Sequence, residues 1–274
     1  MTVVLTPRNT MAPVPRVEIS FDAADLPAGT DRVTVWRVAN GREFKVRDGI
    51  DRVVISSVSL VDVEPDLRGL LIYQAECWAG STSLGRVALG STSMTWTGGT
   101  VIQQPLDPSL AVEVQLNWGT ATDLTRTTPG GLVFSSGAVA PDYVGFGPRR
   151  SLQGVVLVFE VGEADQETLQ ATLGTYNTQQ LPIWLIRSTD VRWPTVFFCH
   201  VPALTETDRS GYGGDIIGYS ATVDEVNPPA AALVISLLSY DDLDVSYASY
   251  TAMDAAYASY DIRDRDYSLA GAAG

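Results

Sequence analysis

Arg16-Val17-Glu18-Ile19-Ser20-Phe21 decides the fold class. Its apolar residues recur with period two, so Val17, Ile19 and Phe21 share one face while Arg16, Glu18 and Ser20 share the other. One dry face and one wet face mark a strand of an antiparallel sheet. The neighbouring text repeats the pattern. A Leu26-Pro-Ala-Gly-Thr30 turn leads to 32–38, and Asn40-Gly41, a dipeptide suited to a tight hairpin, leads into 42–46. Segments 53–61, 70–78, 84–89 and 91–96 supply four more candidate strands. Seven short strands in roughly 85 residues predict a small β-sandwich over 15–98.

Upstream, residues 1–14 hold two prolines and little periodicity, which predicts an extended arm. Downstream, Gly98-Gly99 with Pro105 and Pro108 marks a boundary. The next region, 99–238, reads as a second β domain with candidate strands at 112–118, 132–134, 154–161, 182–187, 195–201, 216–225 and 231–238. One helix is expected within it, near 163–174. Acidic residues crowd its first turn, Leu169 and Leu173 lie four apart, and Gly174 closes it. The fold class expected is therefore mainly β: a sandwich, then a β domain with one inserted helix, then a tail of short helical repeats over 239–274.

Composition fits that class. The chain has 274 residues, 24 Gly and 15 Pro spread along it, and 45% apolar against 18% charged residues. That balance suits a core-forming protein. The formal net charge of −14 repels a phosphate backbone, so no nucleic-acid partner is expected. The start lacks a basic flank followed by an apolar segment, and the apolar run at 230–238 is too short for a membrane span, so neither a signal peptide nor membrane insertion is expected.

Residues for catalysis are sparse. His200 is the only histidine, and it alternates with apolar residues in Val196-Phe-Phe-Cys-His-Val201, the place of a strand histidine. Cys199 beside it would face the other way. Cys77 and Cys199 lie 122 positions apart, leaving open whether they are paired or buried thiols. Two distant cysteines and one histidine do not make a zinc site, and no glycine-rich phosphate loop is present. Asp241-Asp242-Asp244 and Asp261-Asp264-Asp266 lack the glycine and terminal glutamate of a calcium loop and read as wet helix faces. No metal, no cofactor and no catalytic residue are expected. Six tryptophans (36, 78, 96, 118, 184, 193) read mostly as core anchors, with a sugar-stacking platform as the alternative.

The tail is the strongest signal of function. Residues 240–269 align as three decapeptides, with Tyr at 240, 250 and 260 and again at 247, 257 and 267, and Asp at 244, 254 and 264. Tyr240, Leu243 and Tyr247 follow the i, i+3, i+7 spacing of a helix face, and Ser239, Ser249 and Ser259 stand where N-caps would. Ten residues fall about 80° short of three helical turns, so a continuous helix would spiral its tyrosines around the axis. Short helices broken at the serines, or one helix threading between neighbours, are the two arrangements left. Tyr240, Leu243, Tyr247, Tyr250, Met253, Tyr257 and Tyr260 are the candidate assembly contacts.

Two resemblances add to this reading. Val61-Asp-Val-Glu-Pro-Asp-Leu-Arg-Gly69 followed by Tyr73 resembles the corresponding segment of fibronectin type III-like domains, which implies that Tyr73 ties its strand to the preceding loop through its hydroxyl. The Tyr-x-x-Leu/Met-(x)3-Tyr-Ala units, following a β domain with one helix, resemble the minor tail proteins of long-tailed phages that infect actinobacteria. Arg263 departs from that pattern where Leu or Met is expected. This resemblance implies a non-enzymatic virion component of the tail tip or baseplate, made in the host cytoplasm. Its partners would be other tail proteins, in a homo-oligomeric ring, with a host cell-wall glycan as a further one. The rival expectation is a carbohydrate-binding adhesin or host-surface binding module.

Overall fold

In the computed structural model, residues 3–137, 139–145, 147, 150–176, 178–189, 194–209, 216–230, 240–257, 259–263 and 269 are described. The chain is mainly β. It opens with β1 (Val4–Arg8) and β2 (Arg16–Asp22), the alternating stretch, whose Val17, Ile19 and Phe21 are buried. The N-terminal arm is extended, and it pairs with β2 from Val4↔Ser20 to Arg8↔Arg16.

β3 (Arg32–Ala39) and β4 (Arg42–Lys45) form the expected hairpin. Asn40 and Gly41 both take positive φ, 50° and 73°, the geometry that matches the twist of two strands joined by a two-residue turn. The segment expected as one strand over 53–61 is broken into β5 (Arg52–Val53) and β6 (Ser57–Asp62). Conversely, 84–89 and 91–96 are one strand. β7 (Arg68–Ala79) pairs along its whole length with β8 (Thr82–Thr95), and a register shift after Tyr73 leaves Leu89 as the extra residue of a bulge. Two sheets result, β1-β2-β6 and β4-β3-β7-β8, with β5 on β3. Val17, Ile19, Phe21, Val33, Val35, Leu60, Leu71 and Cys77 fill the space between them.

The second region contains a closed barrel. Its strands are β9 (Thr100–Gln104), β10 (Asp107–Leu116), β15 (Val155–Gly162), β16 (Ile183–Arg187), β17 (Val196–His200) and β19 (Ile216–Glu225). They are hydrogen-bonded in the order β15-β10-β9-β16-β17-β19, and β15 pairs β19 from Val155↔Val223 to Gly162↔Ile216, which closes the ring. Closure removes the sheet edges that an open sheet would expose. β18 (Thr205–Asp208) lies on β19 outside the ring. Phe159 stacks on Tyr219 with centroids 5.6 Å apart and meets Trp184 edge-on at 6.0 Å. The expected helix is a 3-10 turn over Glu163–Asp165 followed by α1 (Gln166–Ala171), and its Leu169 is buried in the barrel core. The strand expected at 231–238 lies outside the described residues.

Between β10 and β15 the chain leaves the barrel as a ribbon. β11 (Thr125–Arg126) pairs β14 (Leu152–Gln153) at its base, and β12 (Gly131–Val133) pairs β13 (Asp142–Val144) farther out. Beyond the barrel, α2 (Tyr240–Ser246), α3 (Tyr250–Ala256) and α4 (Tyr260–Arg263) are short helices. Ser249 caps α3, its Oγ accepting from the Ala252 amide at 3.2 Å.

Sandwich and barrel meet over a buried polar junction. The Arg187 guanidinium donates to Pro15 O (2.7 Å) and Pro65 O (3.2 Å) on the sandwich side, and to Gln103 Oε1 (2.6 Å) on β9. Gln103 in turn donates to Val63 O at 3.3 Å. Arg47 pairs with Glu64 at 2.9 Å and donates to Pro229 O and Ala230 O, which follow β19. Burial pulls the Arg187 pKa down to about 9, although the nearby Asp62, Glu64 and Asp66 act to raise it.

Candidate functional site

The three tail units place equivalent residues in equivalent surroundings. Leu243 and Met253 are each 3% exposed and Arg263 is 7% exposed, so the third residue after each leading tyrosine turns inward. The leading tyrosines turn outward: Tyr240, Tyr250 and Tyr260 are 64%, 65% and 64% exposed. Tyr247 and Tyr257 are half-buried and meet each other, hydroxyl to hydroxyl at 2.9 Å and edge to face at 5.8 Å. Of the seven candidate contacts, then, Leu243 and Met253 are packed inside, Tyr247 and Tyr257 hold successive units together, and the other three face solvent.

Arg263 occupies the inward position without an apolar side chain. Its guanidinium carbon lies 4.8 Å from the Tyr260 ring centroid and 5.6 Å from that of Tyr240. The π faces replace the contacts that Leu and Met make in the first two units. Between successive units the tail is concave. One cavity of about 310 Å³ is lined by Leu243, Asp244, Tyr247, Tyr250 and Met253, and a second of about 280 Å³ by the matching Met253, Asp254, Tyr257, Tyr260 and Arg263.

The ribbon between β10 and β15 holds four short strands, β11 to β14, where the sequence predicts one at 132–134. Leu132, Val133, Phe134, Val139, Tyr143 and Val144 are all exposed. Leu132 stands opposite Tyr143, so these two share one face of the ribbon, and exposed Phe134 follows β12 directly. The Tyr143 hydroxyl donates to Pro129 O at 2.6 Å, tying β13 to the segment that leads into β12.

Trp118 is fully exposed on a turn that is pinned to β15. The Asn117 amide donates to Val158 O (2.8 Å), the Asn117 side chain donates to Glu160 (2.8 Å), and the Val158 amide donates to the Thr120 hydroxyl (2.9 Å). Gly119 supplies the positive φ of 97° that the turn requires. Glu160, to which Asn117 is bonded, lines a groove of about 370 Å³ with Glu113, Gln115 and Asp165. The other tryptophans differ. Trp184 and Trp96 are buried, Trp78 is half-buried, and the Trp36 ring is covered by Arg86 at 4.2 Å and Lys45 at 5.1 Å. Trp193 lies outside the described residues.

Cys77 is buried in the sandwich and Cys199 in the barrel, and both are free thiols. Burial pushes each thiol pKa up. His200, half-buried on the opposite side of β17 from Cys199, stands across from Ile183 and Asp224. Among the described residues no cluster of His, Cys, Asp and Glu suits a metal ion, and no helix is long and apolar enough to cross a membrane.

Among the described residues, a dense charge cluster lies inside the molecule. Arg37 and Asp62, each 1% exposed, are paired with both carboxylate oxygens 2.6 Å from Nη1, and the Tyr73 hydroxyl donates to Asp62 Oδ2 at 2.8 Å. Tyr73 therefore ties β7 to the carboxylate that ends β6. Burial acts to lower the Arg37 pKa, but Asp62, Tyr73 and Glu64 outweigh it and raise the net value. Burial holds Glu64 above the usual carboxylate range despite Arg47 and Arg37.

Comparison with protein-family models, curated proteins and solved structures returned no match to this chain.

Proposed function

We propose that this chain is a structural subunit of a phage tail tip, a body of sandwich and barrel that joins its neighbours through the tyrosine tail. The observation that carries the reading is the outward row of Tyr240, Tyr250 and Tyr260, three nearly equally exposed aromatic side chains at ten-residue intervals. Tyrosine offers a rigid amphipathic contact with little conformational entropy to lose, which is why it is enriched at protein interfaces. The buried junction through Arg187 supports the same reading, since a subunit that transmits position needs a stiff body. The sheet arrangement β1-β2-β6 against β4-β3-β7-β8 supports a fibronectin type III-like first domain. Assignment to a virion and its neighbours rests on the resemblance of the repeat. The test is assembly of tail particles with a chain truncated before residue 240. Its absence from otherwise purified particles supports the reading, and normal incorporation refutes it.

A second reading, a glycan-binding module, is favoured by Trp118. A fully exposed indole on a pinned turn, whose Asn117 is bonded to a carboxylate of a polar groove, has the parts of a sugar platform. Binding of a neutral cell-wall oligosaccharide to the full chain, lost on Trp118→Ala, would support it. Equal binding by the variant would refute it.

A further inference from the structure

Where the chain leaves the barrel for the tail, the sandwich holds it. β19 ends at Glu225, and the Val226 amide donates to Phe198 O on β17 at 2.9 Å while its side chain packs on Leu185, Val196 and Phe198. Pro228 and Pro229 follow, each with a fixed φ and no amide proton to give to a sheet. Pro229 is nevertheless buried between exposed neighbours, and its carbonyl and that of Ala230 accept from Arg47 Nη1 at 3.3 and 3.0 Å.

Arg47 is itself held in place. It opens a 3-10 turn, Arg47–Gly49, between β4 and β5. The Val46 amide donates to Val35 O at 2.9 Å and the Asp48 carboxylate accepts from the Val61 amide at 3.1 Å, so the turn is tied to both sheets of the sandwich. A Cβ at Gly49 would lie 2.9 Å from Val35 Cβ, which shows how closely the turn sits on β3. The buried guanidinium then divides its donors. Nε and Nη2 converge on Glu64 Oε1 at 3.0 and 2.9 Å, which leaves Nη1 for the two carbonyls. Its rigid fork orients both sets of bonds at once. The Glu64 amide donates to Asp62 Oδ1 at 3.0 Å, and Asp62 is the partner of Arg37.

We propose that Arg47 is a latch that binds the root of the tail to the sandwich, with Glu64 as the group that positions it. A buried acceptor is costly to leave without its donor, so removing the latch releases the segment after β19 instead of leaving it in place. With the root held, the tail leaves the body at one point, which lowers the freedom it has to lose on docking. The latch does not depend on what the tail binds, so its test stands apart from the docking role proposed above.

Amide hydrogen exchange of the full chain tests it. Arg47→Met with Glu64→Gln removes the donor and its counter-charge together and leaves no unpaired charge buried. Tyr73→Phe, a change in the same sandwich core that does not touch the root, is the control. In the double variant the Val226 amide is expected to exchange on the order of tenfold faster than in the wild type, while the β15 amides keep their rates. Glu64→Gln alone keeps the donor and removes the charge that positions it. It is expected to raise the Val226 rate by a smaller factor, and it is the variant read if the double variant does not fold. A Val226 rate that stays at the wild-type value in the variant read, or a rise shared by β15 or by Tyr73→Phe, overturns the latch.

Discussion

The Arg263 guanidinium carbon lies 5.6 Å from the centre of the Tyr240 ring, joining the third decapeptide back to the first. Position by position, Leu243 lines a cavity with Tyr250, Met253 lines one with Tyr260, and Arg263 reaches Tyr240. The inward residue of each of the first two units thus shares a cavity with the leading tyrosine of the next, and Arg263 of the third unit contacts the leading tyrosine of the first.

Arg263→Glu is expected to break that contact. It replaces a cation over two π faces with an anion, losing an interaction of about 0.5–2 kcal/mol and adding repulsion against the tail's aspartates. Limited proteolysis should cut the variant tail several-fold faster than wild type, and Arg263→Leu should be cut at the wild-type rate. Equal rates for all three chains would count against its role.

Arg37→Ala leaves the Asp62 carboxylate buried with only Tyr73 and the Glu64 amide as partners. Breaking a buried ion pair from one side costs about 3–5 kcal/mol. Tyr73→Phe removes one hydrogen bond to the same carboxylate and should cost about 1–2 kcal/mol. Chemical denaturation measures both, and the order Arg37→Ala above Tyr73→Phe is the prediction.

Arg187→Ala leaves Pro15 O, Pro65 O and Gln103 Oε1 without their donor. An unsatisfied buried acceptor costs about 1–3 kcal/mol. Since these acceptors belong to both domains, calorimetry of the variant should resolve separate sandwich and barrel transitions where the wild type shows one. A single undivided transition would mean that the junction does not depend on Arg187.

Raising the pH should destabilise the protein. Burial raises the pKa of Tyr73 above 10.0 and those of Cys77 and Cys199 above 9.0. In that window the unfolded chain has released protons that the folded chain keeps. The stabilisation is complete below pH 9 and is lost as the pH climbs through the folded values. The urea midpoint should be flat from pH 7 to 8.5 and fall beyond 9.5. A midpoint that rises in that range would show the buried cation Arg187 outweighing these three groups.

Much of the architecture was legible wherever a local pattern dictates it. The period-two run at Val17, Ile19 and Phe21 and the Asn40-Gly41 turn each specify their own geometry. β9 was not legible, because Gly98-Gly99 and Pro105 read as punctuation and the strand's Gln103 and Gln104 are polar. Those glutamines are buried because their partners are distant: Val63 O and Arg187 for one, Thr172 O and Leu181 O for the other. Closure of the barrel depends on pairing β15 with β19, some sixty residues apart, which no local period encodes. In the tail the ten-residue register is written in the tyrosines. That Leu243 and Met253 turn inward while Tyr240 and Tyr250 turn outward follows from packing between units, and the helix-face spacing alone had grouped them together.

The central claim, association through the outward tyrosines, is tested most directly by the native mass of the full chain carrying Tyr240→Ser, Tyr250→Ser and Tyr260→Ser. These changes keep Leu243, Met253 and Arg263 but remove both π faces over Arg263, so Arg263→Leu, which loses that contact and keeps the tyrosines, is the control and is expected to stay multimeric. A multimeric wild type alongside a variant of 29.4 kDa with an unchanged far-ultraviolet spectrum is the result predicted. A variant that keeps the wild-type mass would contradict it.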